Sequence, residues 1–376
     1  MPRLALAMLF LAPLLRADTL KVPSQFATIQ QAVDAAVAGD VIVVSKGPFV
    51  GPVFVTGKSD IELRGKGLPT LDGTGAGSTL DIEDCTNVLV KGFEITNALT
   101  QGIFVVNGIG VRITKCHTLG MPVGIHVRDG DTVTVDHNQV VGATSVGIQL
   151  SSGVGGGPVA CTVRANHVED TTNLAIMVDG QDGVIERNVI KPASGDGISS
   201  HINSLHARFA RNRVLDATNN GFVLEGGQHE LDRNKVLRAG GDSFVFTGNS
   251  SDFVLTHNRT TEPGGTGFLV DGDDMSFDHD RVLKPIGDGV ELGKETCHLK
   301  NVRVLHGLGN GIEVNADSNT FDDCRATGCG YDGFAVTGTL NTFTKCRAKG
   351  SGNLDLDEAE GLDNTYTDCK FKTTSP

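Results

Sequence analysis

Residues 124–150 read GIHVRDGDTVTVDHNQVVGATSVGIQL and hold one complete repeat of the chain. The stretch opens on a small residue followed by apolar, any, apolar: Gly124, Ile125, His126, Val127. An alternating strand runs on to Asn138, a short apolar run follows, and the opening figure returns at Gly147, Ile148, Gln149, Leu150. The same figure begins at Gly102, Ala175, Gly197, Gly221, Ser243, Gly267, Gly289, Gly311, Gly333 and Asn353. Its spacings along the chain are 22, 23, 28, 22, 24, 22, 24, 22, 22, 22 and 20 residues. Self-similarity at so short a period marks a solenoid. Period-2 alternation makes strands, and a 22-residue repeat leaves no room for a helical crossover. Successive coils must therefore pair as parallel strands about 4.8 Å apart. The fold expected is an all-β, single-stranded parallel β-helix of twelve or more coils.

A second mark lies about nine residues before the small residue. Asn138, Asn166, Asn188, Asn212, Asn234 and Asn258 hold that place, with Cys116 before them and Asp280, Cys324 and Cys346 after. Asn tolerates the left-handed backbone of a tight bend, and stacked amides can form a hydrogen-bonded ladder. The spacing predicts such a ladder at one corner of each coil.

The ends and the composition complete the frame. Arg3, an apolar run over 4–15 and Ala17 have the form of a leader peptide, too short for a membrane span. The expected division is a leader at 1–17 and one β-helix domain over 18–376. Within the domain, 18–40 form a cap, 41–91 the first coils and 92–370 the regular repeats. Thr28 and Gln31 have the spacing of a helix capping box. Ile29, Val33 and Val37 then share one helical face and Gly39 follows as a stop, predicting an α-helical lid. Trp is absent and Tyr occurs twice, so Val, Ile and Leu are expected to fill the core. A net charge of −13 argues against a nucleic-acid partner.

The segment from Phe26 to Ala36 followed by Gly39-Asp-Val-Ile-Val-Val44, together with the later repeats, resembles the opening and coils of the pectin-lyase-like superfamily. The resemblance implies a right-handed coil with three parallel sheets, and an extracellular polysaccharide as the ligand class. Among its lyases, hydrolases, esterases and epimerases, fold alone selects no activity. The family's paired-Arg motif is absent. Asp322-Asp323-Cys324 and Asp278-His279-Asp280 sit at the ladder bend and are accounted for by the repeat.

The repeat also turns the sequence into columns. On the Gly-Ile-x-Val strand, the residues one before, two after and four after the small residue should face outward. Asp179, His201 and Glu225 are consecutive in the last of these columns. Carboxylates beside His201 would raise its proton affinity, and the three are the candidate proton-transfer group. His126, Arg128, Ser199 and Asp196 are the candidate substrate-binding residues. Asp179, Glu225 and Asp196 are also candidate Ca²⁺ ligands, being hard oxygen donors. A basic stripe just before the ladder, at Lys115, His137, Arg187, Arg211, Arg233, His257 and His279, suits either an anionic polymer or a solubilising face paired with acids. The eight cysteines lack zinc spacing. Cys324, Cys346 and Cys369, one coil apart, suit buried thiols or disulfides. The function expected is that of a secreted or periplasmic protein acting on or binding polysaccharide, a lyase or hydrolase of acidic glycans included. The alternative is a non-catalytic surface, adhesive or accessory scaffold.

Overall fold

A computed structural model describes residues 17–153 and 157–375. The leader read at 1–17 lies, but for Ala17, outside the described residues, and the long 147–175 spacing includes residues 154–156, which lie outside them too. The chain winds through three parallel sheets of 16, 14 and 14 strands, each strand pairing with the equivalent strand of the coils before and after it. Sheet A holds strands such as Thr134–Asp136, sheet B strands such as Gln139–Val141, and sheet C the Gly-Ile-x-Val strands such as Val146–Ser151. Sixteen stacked strands make a rod roughly 70 Å long.

The small residue of the motif has a steric cause. A Cβ on Gly124 would stand 2.6 Å from the carbonyl oxygen of Gly147, and one on Gly221 2.5 Å from that of Ser243. Each glycine thus lets the next coil approach at a corner where a larger residue would hold the coils apart. The following apolar residues, Ile125 and Val127 among them, point inward and are fully buried.

The Asn ladder is present. Asn138 Nδ2 donates to Asn166 Oδ1 at 3.1 Å, and the same bond continues through Asn188, Asn212, Asn234 and Asn258 to Asp280. Each Oδ1 also accepts the backbone N–H of the ladder residue one coil earlier, and each Nδ2 reaches a carbonyl of that earlier coil, as Asn212 Nδ2 does to Ile185 O. One expectation is corrected here. The left-handed backbone belongs to the basic residues just before the ladder, Lys115, His137, Arg187, Arg211, Arg233, His257 and His279, all with φ between 54° and 62°. The Asn side chain must point inward to bond its neighbours, so the bend is taken one residue earlier. That bend turns the long basic side chains outward into water.

Two further ladders stand at the other corners. Before sheet A, Asn319 and Asn341 accept the N–H groups of Cys297 and Asn319. Before sheet C, Asp196, Asn220 and Asp242 accept those of Asn220, Asp242 and Thr266. The core is also more aromatic than composition suggested. Phe222, Phe244 and Phe268 stack at 4.8 and 4.9 Å between centroids, and Phe321, Phe343 and Tyr366 at 4.5 and 4.8 Å. The cysteines are all free thiols, and Cys116, Cys324 and Cys346 donate to backbone carbonyls as buried substitutes for Asn.

The helix is Ile29–Ala35, with both bonds of the Thr28–Gln31 capping box formed. Ile29, Ala32 and Val33 join the core. Val37, expected on the same face, lies past the helix end and is 48% exposed. Asp40 Oδ2 accepts the Val37 N–H and turns the chain out there.

Candidate functional site

Sheet C presents three outward columns, and the middle one passes in register from Phe104 through His126, Gln149, Met177, Ser199, Val223, Val245 and Leu269 to Glu291 and Glu313. Met177, Val223, Val245 and Leu269 form a half-buried apolar floor between two polar centres.

The first centre gathers His126, Arg128 and Phe104. The His126 ring stacks on Phe104 at 4.8 Å, and the Arg128 guanidinium lies 4.9 Å from the Phe104 centroid. His126 was expected to face water, but is only 8% exposed because these neighbours cover it. Its Nε2 lies 2.7 Å from Ser151 Oγ, and its Nδ1 is buried without a partner. Burial, reinforced by the Arg128 charge, lowers its pKa to about 4, so the ring is neutral at pH 7.

The expected Asp179–His201–Glu225 group is assembled only in part. His201 Nδ1 stands 3.9 Å from Asp179 Oδ1, an ion-pair distance. Asp179 is buried, with Oδ2 accepting the Ser152 N–H and Oδ1 otherwise unpartnered. Glu225 turns to the following coil, where Oε1 accepts the Thr247 hydroxyl at 3.2 Å. Asp196 is a rung of the sheet C corner ladder, accepting the Asn220 N–H at 2.9 Å. Ser199 sits on the floor between Met177 and Val223. Asp179, Glu225 and Asp196 therefore do not converge on one point.

The second centre, which the sequence placed on the columns without singling it out, is a carboxyl pair. Burial, with the hydrogen bond and charge of Glu313, pushes Asp288 up to about 7. Burial also opposes ionisation of Glu313, but hydrogen bonds from Asn315, Asp288 and Asn310 outweigh it and hold Glu313 below its usual range. The two shifts run in opposite directions, Asp288 toward the neutral acid and Glu313 toward the ionised form. Glu291, register neighbour of Glu313, is raised by burial and by the charges of Glu313, Asp271 and Asp242. Environments that push neighbouring carboxyls apart are those that assign acid and base roles.

The model of the right-handed beta helix region matches residues 153–294 and 289–375, and that of the periplasmic copper-binding protein NosD matches residues 33–223. The chain belongs to the right-handed β-helix and NosD families. No curated protein matches it. Among solved structures, this β-helix resembles the Siphovirus 9NA tailspike receptor-binding domain at TM-score 0.57 and 11% identity, over 95% of this chain and 76% of that one. It resembles the catalytic domain of a GH87 alpha-1,3-glucanase in complex with nigerose at TM-score 0.57 and 11% identity, over 90% and 69%. It resembles DFA-IIIase from Arthrobacter chlorophenolicus A6 in complex with GF2 at TM-score 0.53 and 13% identity, over 87% and 94%. At these identities the likeness establishes the fold. The NosD family name carries copper. Among the described residues no three His, Cys, Asp or Glu come together as a metal-binding set. The thiols and imidazoles that copper prefers are dispersed, with Cys116 and Cys161 turned to backbone carbonyls and His126 to Ser151. These residues do not fit a copper centre. Among the described residues, no helix is long and apolar enough to cross a membrane.

Proposed function

We propose that this protein is an exported β-helix that binds polysaccharide along the outward face of sheet C and performs acid–base chemistry on it at Asp288 and Glu313. The observation that supports the reading is the meeting of these two carboxyls at Asn310, whose backbone N–H is accepted by Asp288 and whose Nδ2 donates to Glu313 Oε2 at 2.9 Å, with Asp288 raised and Glu313 lowered from their usual ranges. A neutral acid beside an ionised carboxylate can protonate a leaving oxygen and accept a proton in turn. The apolar floor from Met177 to Leu269 gives sugar rings a surface to lie on, and Arg128 is available to an acid group. His201 with Asp179 is the second proton-transfer candidate on the same face, and Asp179 the candidate oxygen ligand for Ca²⁺.

The test is a panel of neutral and uronic-acid polymers, with Ca²⁺ or with chelator, read by reducing ends and by ultraviolet absorbance of unsaturated products. Glu313→Gln is expected to lower turnover by about a hundredfold or more, the scale of a lost acid–base group, with binding largely kept. His201→Ala is expected to lower it less. Activity unchanged in Glu313→Gln would remove the carboxyl pair from the mechanism. Binding without turnover of any polymer would favour the scaffold reading, supported by the ladder role of Asp288, which accepts the Asn310 N–H. Cell fractionation tests export.

A further inference from the structure

The outward column of sheet B is cationic on seven successive coils. It runs in register from Arg213 through Lys235, Arg259, Arg281 and Arg303 to Arg347, with Arg325 between the last two. Arg325 is half-buried and the other six are exposed. Among the described residues, only Arg325 of these seven has an acidic partner within ion-pair distance, Asp323 at 2.9 Å. Acids on the flanking corners and strands are engaged elsewhere: Asp232 with Arg233, Asp278 with His279, Asp216 with Arg238 and Glu262 with Lys284. Like charges stacked on adjacent strands repel, and the fold does not demand them here. In the preceding coils the same column reads Glu94, His117, Gln139, His167 and Val189. A chain of net charge −13 thus concentrates unneutralised cations in one line on one face.

Beside the cations runs a second outward column with half-buried Leu215, Leu237, Leu283 and Leu305. Arg213, Lys235 and Arg259 face Leu215, Leu237 and Thr261 across a recess of about 280 Å³. Cations at a repeat of about 4.8 Å, close to the length of one sugar in an extended chain, beside an apolar ledge match a linear glycan with one carboxylate per sugar. The ring faces would lie on the leucines, and each guanidinium would take a carboxylate in its planar fork. A nucleic acid fits less well, because neither column here, from Arg213 onward, carries an aromatic on which bases would stack.

We propose that this face of sheet B is a second binding surface, for a linear polyuronate lying along the rod, separate from the sheet C site. The test is fluorescence anisotropy of the full chain with labelled oligogalacturonate, beside a neutral glucan oligomer and single-stranded oligo-dT of matched length. The triple variant Arg259→Glu, Arg281→Glu, Arg303→Glu is expected to weaken oligogalacturonate binding about tenfold or more, and the matching Gln triple to weaken it less. Binding should also fall as salt rises. Unaltered melting temperatures establish that both triples fold. The proposal is overturned if oligogalacturonate does not bind, if the Glu triple weakens the neutral oligomer as much as oligogalacturonate, if oligo-dT binds more tightly, or if the Glu triple binds oligogalacturonate as the parent does. None of these results touches turnover at sheet C, so the two readings fail separately.

Discussion

His229 stands at the corner before sheet A, where later coils carry Asn319 and Asn341, and does the same work with a ring. Its Nδ1 accepts the Ala207 N–H at 3.0 Å, and its Nε2 donates to Glu225 O at 3.1 Å. Burial lowers its pKa from 6.5 to about 4, and His126 is lowered likewise. Between those values the unfolded chain binds the protons and the folded one does not. Their contribution to stability is therefore full above about pH 6.5 and is lost as pH falls toward 4. Thermal unfolding followed across that window should show the fall, and His229→Asn should flatten part of it while keeping the acceptor for Ala207. Asp280 has the opposite sign. Burial at the end of the Asn ladder raises it from 3.8 to about 8, with Oδ2 unpartnered. Here the folded protein holds a proton that the unfolded chain releases, so stability falls as pH rises from about 4 to 8. Asp280→Asn keeps the acceptor for Asn258, and should raise the melting temperature more at pH 8 than at pH 5.

At the level of elements, the ladder and the glycine corners hold the coils in register. Asn212→Ala removes the acceptor for the Asn188 N–H and Nδ2 and the donor to Ile185 O, all buried. A cost of about 2–4 kcal/mol in urea unfolding is expected from stranding these groups. Asn212→Cys should cost less, because a thiol can still reach the carbonyl, as Cys324 does to Leu299 O. The first ladder was legible because Asn recurs at one spacing. The other two were not, since their rungs mix Asp, Asn and His, and only the corner geometry turns all of these toward the same N–H groups. The Asp288–Glu313 pair was hidden for a related reason. The two residues lie in different columns, and their contact depends on the offset between coils.

For the whole molecule, each coil touches mainly its neighbours, and stability is close to a sum of such interfaces. A broken rung at Asn212, near the middle of the rod, should split one calorimetric transition into two, where the parent shows a single cooperative one. With all eight cysteines free, reductant should leave the melting temperature unchanged, and eight thiols should titrate once the chain is unfolded. The rod also separates its charge by face. Sheet C gathers Asp288, Glu291 and Glu313, while sheet B carries the cationic column from Arg213 to Arg347.

The amino-acid sequence is enough to specify the parallel β-helix, its period, the inward Ile and Val of each motif and the first Asn ladder. These follow from spacing alone, because side-chain direction along a strand has a fixed period of two. It also brought Asp179 next to His201, since equal positions in successive coils must stack. The packing of the coils, by contrast, turns Glu225 and Asp196 away to Thr247 and Asn220, covers His126 with Phe104 and Arg128, and brings Asp288 and Glu313 together at Asn310. Those outcomes depend on corner turns, side-chain reach and local burial, which the spacing of residues along the chain does not specify.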